Sequence, residues 1–172
     1  GRTYESYSEN PDLVKEYAAE MVIGIQGEIG NDFLKNTKRI ATAKHFVGDG
    51  GTERGIDRGN TIIDEQGLKV IHSPGYFSAI NEGVQSVMAS FNSWNGQRVH
   101  GDKYLLTEVL KNQMGFDGFV VSDWNAHKFV EGCDENTSGS SCRWRLGTFV
   151  PIFCKIKCTP DLTEIQSRRC CF

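Results

Sequence analysis

Gly118 to Trp124 reads GFVVSDW: an apolar run, Phe119-Val120-Val121, entered from a glycine and closed by Ser122, Asp123 and Trp124. A short continuous apolar run of this kind is the pattern of a strand buried on both faces, as in a parallel sheet. Working outward, Leu105, Leu106, Val109, Leu110 and Met114 recur at helical spacing, with Asp102 placed to cap the helix and Gly115 to stop it. Before that, Ser86 to Phe91 (SVMASF) reads as a second strand ending in NSWNG. Pro74 opens a helix whose inner face carries Phe77, Ile80 and Val84. Ile40 to Phe46 (IATAKHF) is the first strand, and the five glycines between Gly48 and Gly59 mark a long loop after it. The leading helix begins at Asn10, a good N-cap followed by Pro11 and Asp12. Leu13, Val14, Tyr17, Ala18, Met21, Val22 and Ile25 form its stripe, expected to pack in the core, and Gly27 is its stop.

The order is helix, strand, helix, strand, helix, strand. It predicts the α/β class with a parallel sheet covered by helices. Two architectures fit: an open doubly wound sheet, or a fragment of a (β/α)8 TIM barrel with about three βα units. Each strand ends in polar or charged residues, namely Lys44 and His45, then Asn92, then Asp123. Both architectures place ligands at such ends, so the pattern does not choose between them. No GxGxxG or Walker loop follows any strand, which weighs against nucleotide binding.

With 19 Lys+Arg against 22 Asp+Glu and a formal charge of −3, the chain offers no clustered basic surface for nucleic acid or an anionic membrane. No apolar run is long enough to span a bilayer, and Gly1 to Asn10 is too polar for a signal peptide. All six cysteines lie at or after Cys133, so they do not staple the preceding fold, although Cys133 and Cys142 could pair locally. Cys154, Cys158, Cys170 and Cys171 lack the CxxC spacing of a zinc site. No metal and no cofactor are expected.

Asp123, at a strand end and followed by Trp124, has the composition of a sugar site: a carboxylate to attack or stabilise an anomeric carbon, and an aromatic face to stack on a pyranose. Its bland alternative is the cap of the next turn. Lys44 and His45 could both donate to sugar hydroxyls if the strand twists or bulges there. A solvated lysine and a core histidine remain the alternative for that pair.

GRTYESYSENP, ATAKHFVGDGGTERGID, NTIIDEQ, SPGYFSAI, VMASFNSWNG and MGFDGFVVSDW occur in order and with natural spacing. Together they resemble glycoside hydrolase family 3, in its β-glucosidase and β-glucan glucohydrolase branch. The resemblance runs from Gly1 to about Cys142. It implies the barrel architecture and retaining hydrolysis of β-D-glucosidic bonds in β-glucosides or short β-glucans. It implies Asp123 as nucleophile, with Arg2, Lys44, His45, Tyr76 and Trp124 around the sugar, Tyr76 being the least direct match. The family's β-N-acetylhexosaminidases carry a Ser-His pair after the KHF motif, whereas the loop here reads KHFVGDGGTERGIDRG. A periplasmic or secreted location follows from the resemblance alone, and no feature bears on oligomeric state.

No acid/base partner for Asp123 is identifiable in the chain. In the family that glutamate usually comes from a second domain, so the 172-residue chain by itself is expected to be inactive. The other function considered is a non-catalytic remnant, either sugar-binding or unfolded. Residues 1–142 are thus expected to form a partial barrel domain. Residues 143–172 read as an irregular tail without periodicity, where the abrupt loss of resemblance suggests a shifted reading frame or an artificial junction, the alternative being a genuine short protein with a divergent end, and where poor packing is expected.

Overall fold

The computed structural model describes residues 3–130. Arg2, the cysteines and the expectations for the 143–172 tail lie outside the described residues. Helix α1 spans Pro11–Gln26, α2 is the single turn Glu65–Gly67, and α3 spans Pro74–Asn81. Six strands follow the order β1 Thr42–Phe46, β2 Asn60–Thr61, β3 Ser86–Ala89, β4 Ser93–Trp94, β5 Gln97–Arg98 and β6 Phe119–Val121. Two further helical stretches, Leu68–His72 and Tyr104–Gln113, are wound in the wider π form.

The termini of the helices behave as their residues dictate. The Asn10 side chain accepts from the Asp12 backbone N–H at 2.9 Å, and Pro11 takes the first helical position, where its missing N–H costs nothing. At the far end Gly27 sits at φ +84°, and its N–H closes on the Ile23 carbonyl. Asp102 accepts from the Leu105 N–H at 3.1 Å, and Gly115 at φ +71° ends the Tyr104–Gln113 helix.

β1, β3 and β6 form a parallel sheet in that order, with β3 in the centre. Val87 pairs with Ala43 on one side and Val120 on the other. All three strands point the same way, so their C-terminal ends share one rim. α3 packs against α1, with Ser78 donating to the Lys15 carbonyl at 2.6 Å and Gly75 lying against Val14. The core gathers Phe46, Val47, Val84, Val87, Leu105, Leu106, Leu110 and Phe116. Of the stripe read on the Tyr104–Gln113 helix, Leu105, Leu106, Leu110 and Met114 are buried and Val109 is partly so.

Three expectations need correction. The α1 stripe is only partly core: Val22 is buried, while Leu13, Tyr17, Met21 and Ile25 are exposed. α1 meets α3 at Gly75 through Val14 and Ala18, Tyr17 meets Tyr7 edge-on at 5.9 Å, and Met21 and Ile25 line a cleft beside β1. Among the described residues burial on both faces holds only for the central strand, because β1 and β6 each pair with β3 alone and Phe119 is 40% exposed. The polar end of the second strand does not reach solvent either. Asn92 is fully buried, donating to Thr61 Oγ1 at 2.9 Å and to the Ser93 carbonyl at 3.0 Å. It lies just before β4 of a second small sheet, β2-β4-β5, absent from the sequence reading. The β4–β5 turn is Asn95-Gly96, both at positive φ, as the primed hairpin turn requires.

Candidate functional site at the strand ends

β1 delivers His45 to the rim. The register against β3 slips between Ala43 and Phe46, the irregularity that lets neighbouring side chains of one strand approach the same space. Gly48, at φ +90°, then turns the chain sharply. A Cβ there would meet Leu68 Cδ1 at 3.2 Å and Thr61 Cγ2 at 3.4 Å, so glycine suits the position for both space and backbone. That turn brings Asp49 back to His45, with Nδ1 and Oδ2 3.1 Å apart. The other ring nitrogen, Nε2, stands 4.0 Å from Asp123 Oδ2. One imidazole thus lies between two carboxylates from two different strand ends.

Asp123 sits two residues past β6, and its two carboxylate oxygens are not equivalent. Oδ1 accepts from the Trp124 backbone N–H at 2.6 Å, while Oδ2 faces His45. The Asp123 carbonyl also accepts from the Ala126 N–H at 3.2 Å, so the residue does start the following turn. The capping role and the placement facing the rim coexist. The Trp124 ring is 79% exposed beside it, an aromatic surface open to solvent.

Lys44 points into a cleft of about 630 Å³ between α1, β1 and α3, where its ammonium pairs with Glu5 Oε2 at 3.0 Å. His45, Asp49, His72 and Tyr76 line the same cleft. Tyr76 meets buried Phe46 edge-on at 5.0 Å between centroids, a geometry worth roughly 0.5–1.5 kcal/mol beyond area burial. Burial first, and the Asp49 charge second, push the Tyr76 phenol well above the usual tyrosine value. The phenol therefore stays protonated and can only be a neutral hydrogen-bonding group. Burial likewise holds the His72 imidazole below the usual histidine value. The structure therefore brings His45 and Asp123 together directly, puts Trp124 next to them, and gathers Lys44 and Tyr76 in a cleft that shares His45.

Two residues escaped the sequence reading. Asp49 carries a weak signal, four residues after His45 in a glycine-rich turn. His100 carries none: it lies in the short 3-10 turn Val99–Gly101 after β5, is 5% exposed, and contacts the Asp123 backbone. Among the described residues no helix is long and apolar enough to cross a membrane.

The family model for the glycosyl hydrolase family 3 N terminal domain matches residues 1–143. Among solved structures, the exo-1,3/1,4-β-glucanase ExoP of a Pseudoalteromonas species is 84% identical. That match has a TM-score of 0.77 and covers 78% of this chain and 17% of that one. A β-glucosidase from Listeria innocua, solved in complex with glucose, is 35% identical with a TM-score of 0.66, covering 71% of this chain and 17% of that one. A β-xylosidase of Formosa agariphila is 40% identical over 126 residues, which are 73% of this chain and 17% of the relative. The chain thus spans about a sixth of the length of the relatives it matches.

Proposed function

The chain belongs to glycosyl hydrolase family 3, and on that premise we propose that it supplies the nucleophile side of a retaining β-glucosidase. In this reading Asp123 Oδ2 attacks the anomeric carbon as the glycosidic C–O bond breaks. The leaving oxygen takes a proton from a general acid, and a glycosyl ester of Asp123 remains. Water, deprotonated by the same group, then attacks that carbon and releases the sugar and the carboxylate. The observation that carries the reading is the asymmetry of the Asp123 carboxylate. A backbone N–H fixes Oδ1, and Oδ2 is left toward His45 at 4.0 Å, on the common rim of three parallel strands.

Lys44 and His45 donate to sugar hydroxyls, Asp49 orients His45, and Trp124 walls the sugar. Arg2 and Tyr76 complete the set by the family resemblance. The sheet β1-β3-β6 is read as three successive strands of a (β/α)8 barrel, whose substrate rim is the C-terminal one. The substrates are β-glucosides and short β-glucans. The 84% identity to a β-glucanase favours glucose over xylose. The same reading places the protein in the periplasm or secreted. A retaining pair needs its second carboxyl about 5–5.5 Å from the first, and that acid is assigned to polypeptide beyond this chain. The 172-residue chain on its own is inactive in this account.

The test is an aryl β-glucoside assay on the full-length protein that carries this chain, beside its Asp123→Ala variant and the isolated chain. Asp123→Ala should lose turnover and regain part of it with added azide, a small anion that can reach the vacated space and form a glucosyl azide. Unchanged turnover by Asp123→Ala would refute the nucleophile assignment. Turnover by the isolated chain that depends on Asp123 would refute its inactivity and keep the assignment.

A further inference from the structure

The β3–β6 ladder stops at the pair Met88–Val121, before the residue that faces the rim. Beyond that point the two strand ends are joined by a side chain. His100 Nδ1 lies 2.8 Å from the Ser90 carbonyl, just past β3. Its Nε2 lies 3.2 Å from the Asp123 backbone N–H and 3.1 Å from Ser122 Oγ, just past β6. The ring is buried, with Phe91 tilted against it at 6.3 Å between centroids.

These partners determine the protonation pattern. A carbonyl oxygen only accepts, so Nδ1 carries the hydrogen toward Ser90. A backbone N–H only donates, so Nε2 is bare toward Asp123. The Ser122 hydroxyl has one hydrogen and two acceptors within reach, His100 Nε2 and the Asp123 carbonyl at 2.8 Å, and accommodates either choice. The ring is therefore the neutral Nδ1–H tautomer. Moving the hydrogen to Nε2 would set two donors against each other at Asp123 and leave the Ser90 carbonyl facing a bare nitrogen.

We propose that His100 is a positioning residue for Asp123, fixing the backbone of the nucleophile to the central strand as the Nδ1–H tautomer. The proposal rests on the reading of Asp123 as nucleophile. Among the described residues β6 pairs with β3 alone, and Asp123 lies past the end of that ladder, so His100 is the link that refers the Asp123 main chain back to β3. With the tie, its distance from the sugar is referred to β3, the best-buried strand of the sheet. His100 does not reach the substrate in this role. It acts through the Asp123 main chain.

Two amide replacements separate this role from simple packing. In His100→Gln the side-chain oxygen can stand where Nε2 stands and accept from Asp123, but the link to Ser90 is lost. In His100→Asn the amide can stand where Nδ1 stands and donate to Ser90, but nothing accepts from Asp123. Each variant loses one backbone hydrogen bond and replaces the ring with a smaller amide, and in either the Ser122 hydroxyl can donate to the Asp123 carbonyl, so a structural role predicts similar losses from both. In the full-length protein, His100→Asn should slow formation of the glycosyl-enzyme about 10²-fold, the scale of a small misplacement of a reacting group. Its glucose Kd should change by no more than about twofold, because ground-state binding does not use this contact. His100→Gln should stay within about tenfold of the parent rate.

Equal losses in the two variants, or a parent-like rate in His100→Asn, would overturn the proposal. A measurement on the unsubstituted protein stands apart from the folding of either variant. Nitrogen-15 spectra of ring-labelled histidine near neutral pH should show His100 protonated at Nδ1 and bare at Nε2, and the reverse tautomer would overturn it too. Activity in Asp123→Ala would sink the nucleophile reading itself. Inactive, azide-rescued Asp123→Ala combined with a parent-like His100→Asn would sink only the positioning role.

Discussion

Gln26 is the last residue of α1 and is fully buried, and replacing it with methionine tests how the sheet is held at its N-terminal end. Its Oε1 accepts from the Ala41 N–H at 2.9 Å and the Gln85 N–H at 3.0 Å, immediately before β1 and β3. Its Nε2 donates to the Gly83 carbonyl at 2.9 Å. Methionine has a similar shape and no such groups. The Gly83 carbonyl keeps a partner, because Gln85 Nε2 also donates to it at 3.0 Å. The Ala41 and Gln85 N–H groups keep none of the partners seen here. A buried donor left unsatisfied costs about 1–3 kcal/mol, so two cost about 2–6 kcal/mol. The apolar gain of a buried methionine and the partial access of water to half-buried Gln85 reduce this to about 2–4 kcal/mol. That is a large share of the roughly 5–15 kcal/mol that holds a typical domain. Urea denaturation of the full-length protein should show the loss. Amide exchange at Ala41 and Gln85 should accelerate locally even if other domains hold the polypeptide together. A change under about 0.5 kcal/mol, with unaltered exchange at both amides, would refute the claim that this side chain ties the two strands.

Gly118→Ala should destabilise the start of β6 by about 1–3 kcal/mol, read from the thermal midpoint. Its Cβ would run into the Gln85 carbonyl oxygen and come within 2.7 Å of the Phe116 ring. The neutral preference of His72 makes stability depend on pH. Its folded-state pKa is lowered by burial, so the unfolded chain binds more protons between that value and the usual 6.5. Stability should be complete above pH ~6.5 and fall as pH drops below it. His72→Gln should flatten that slope in urea midpoints taken from about pH 5 to 8, and an unchanged slope would show that His72 is not its source.

The strand order was legible because each central segment has a continuous apolar run, and the runs Ser86–Phe91 and Gly118–Trp124 contain the observed β3 and β6. Their ends ran long in the reading, since Phe91 and Asp123 continue the composition of a strand beyond the last ladder pairs. The exposure of Leu13, Tyr17, Met21 and Ile25 was not legible. Helical spacing tells which residues share a face, not whether a neighbour covers it. Gln26 and His100 were missed for the opposite reason. A polar residue near a helix end or in a loop reads as solvated, and its burial depends on backbone groups of distant segments: Ala41, Gly83 and Gln85 in one case, Ser90 and Asp123 in the other. The placement of Lys44, His45, Asp123 and Trp124 at strand ends was legible from the polar residues that close each apolar run, and their roles toward a sugar belong to the proposed function.

Gln26 and His100 divide the sheet between them. Gln26 joins the segments entering β1 and β3, at the rim opposite Asp123, and His100 joins those leaving β3 and β6. Both are buried, polar and satisfied through backbone partners, and both involve β3. In a parallel α/β sheet the rim at the strand starts can be devoted to holding the fold, because ligands are met at the other rim. A hydrogen bond lost at Gln26 therefore acts on the folded fraction and leaves the geometry at Asp123 alone. On the reading of Asp123 as nucleophile, one lost at His100 removes a tie of similar strength yet acts on the position of a reacting atom, where a shift too small to unfold anything still changes the rate. What separates a stabilising residue from a positioning one here is which end of the same strand it ties.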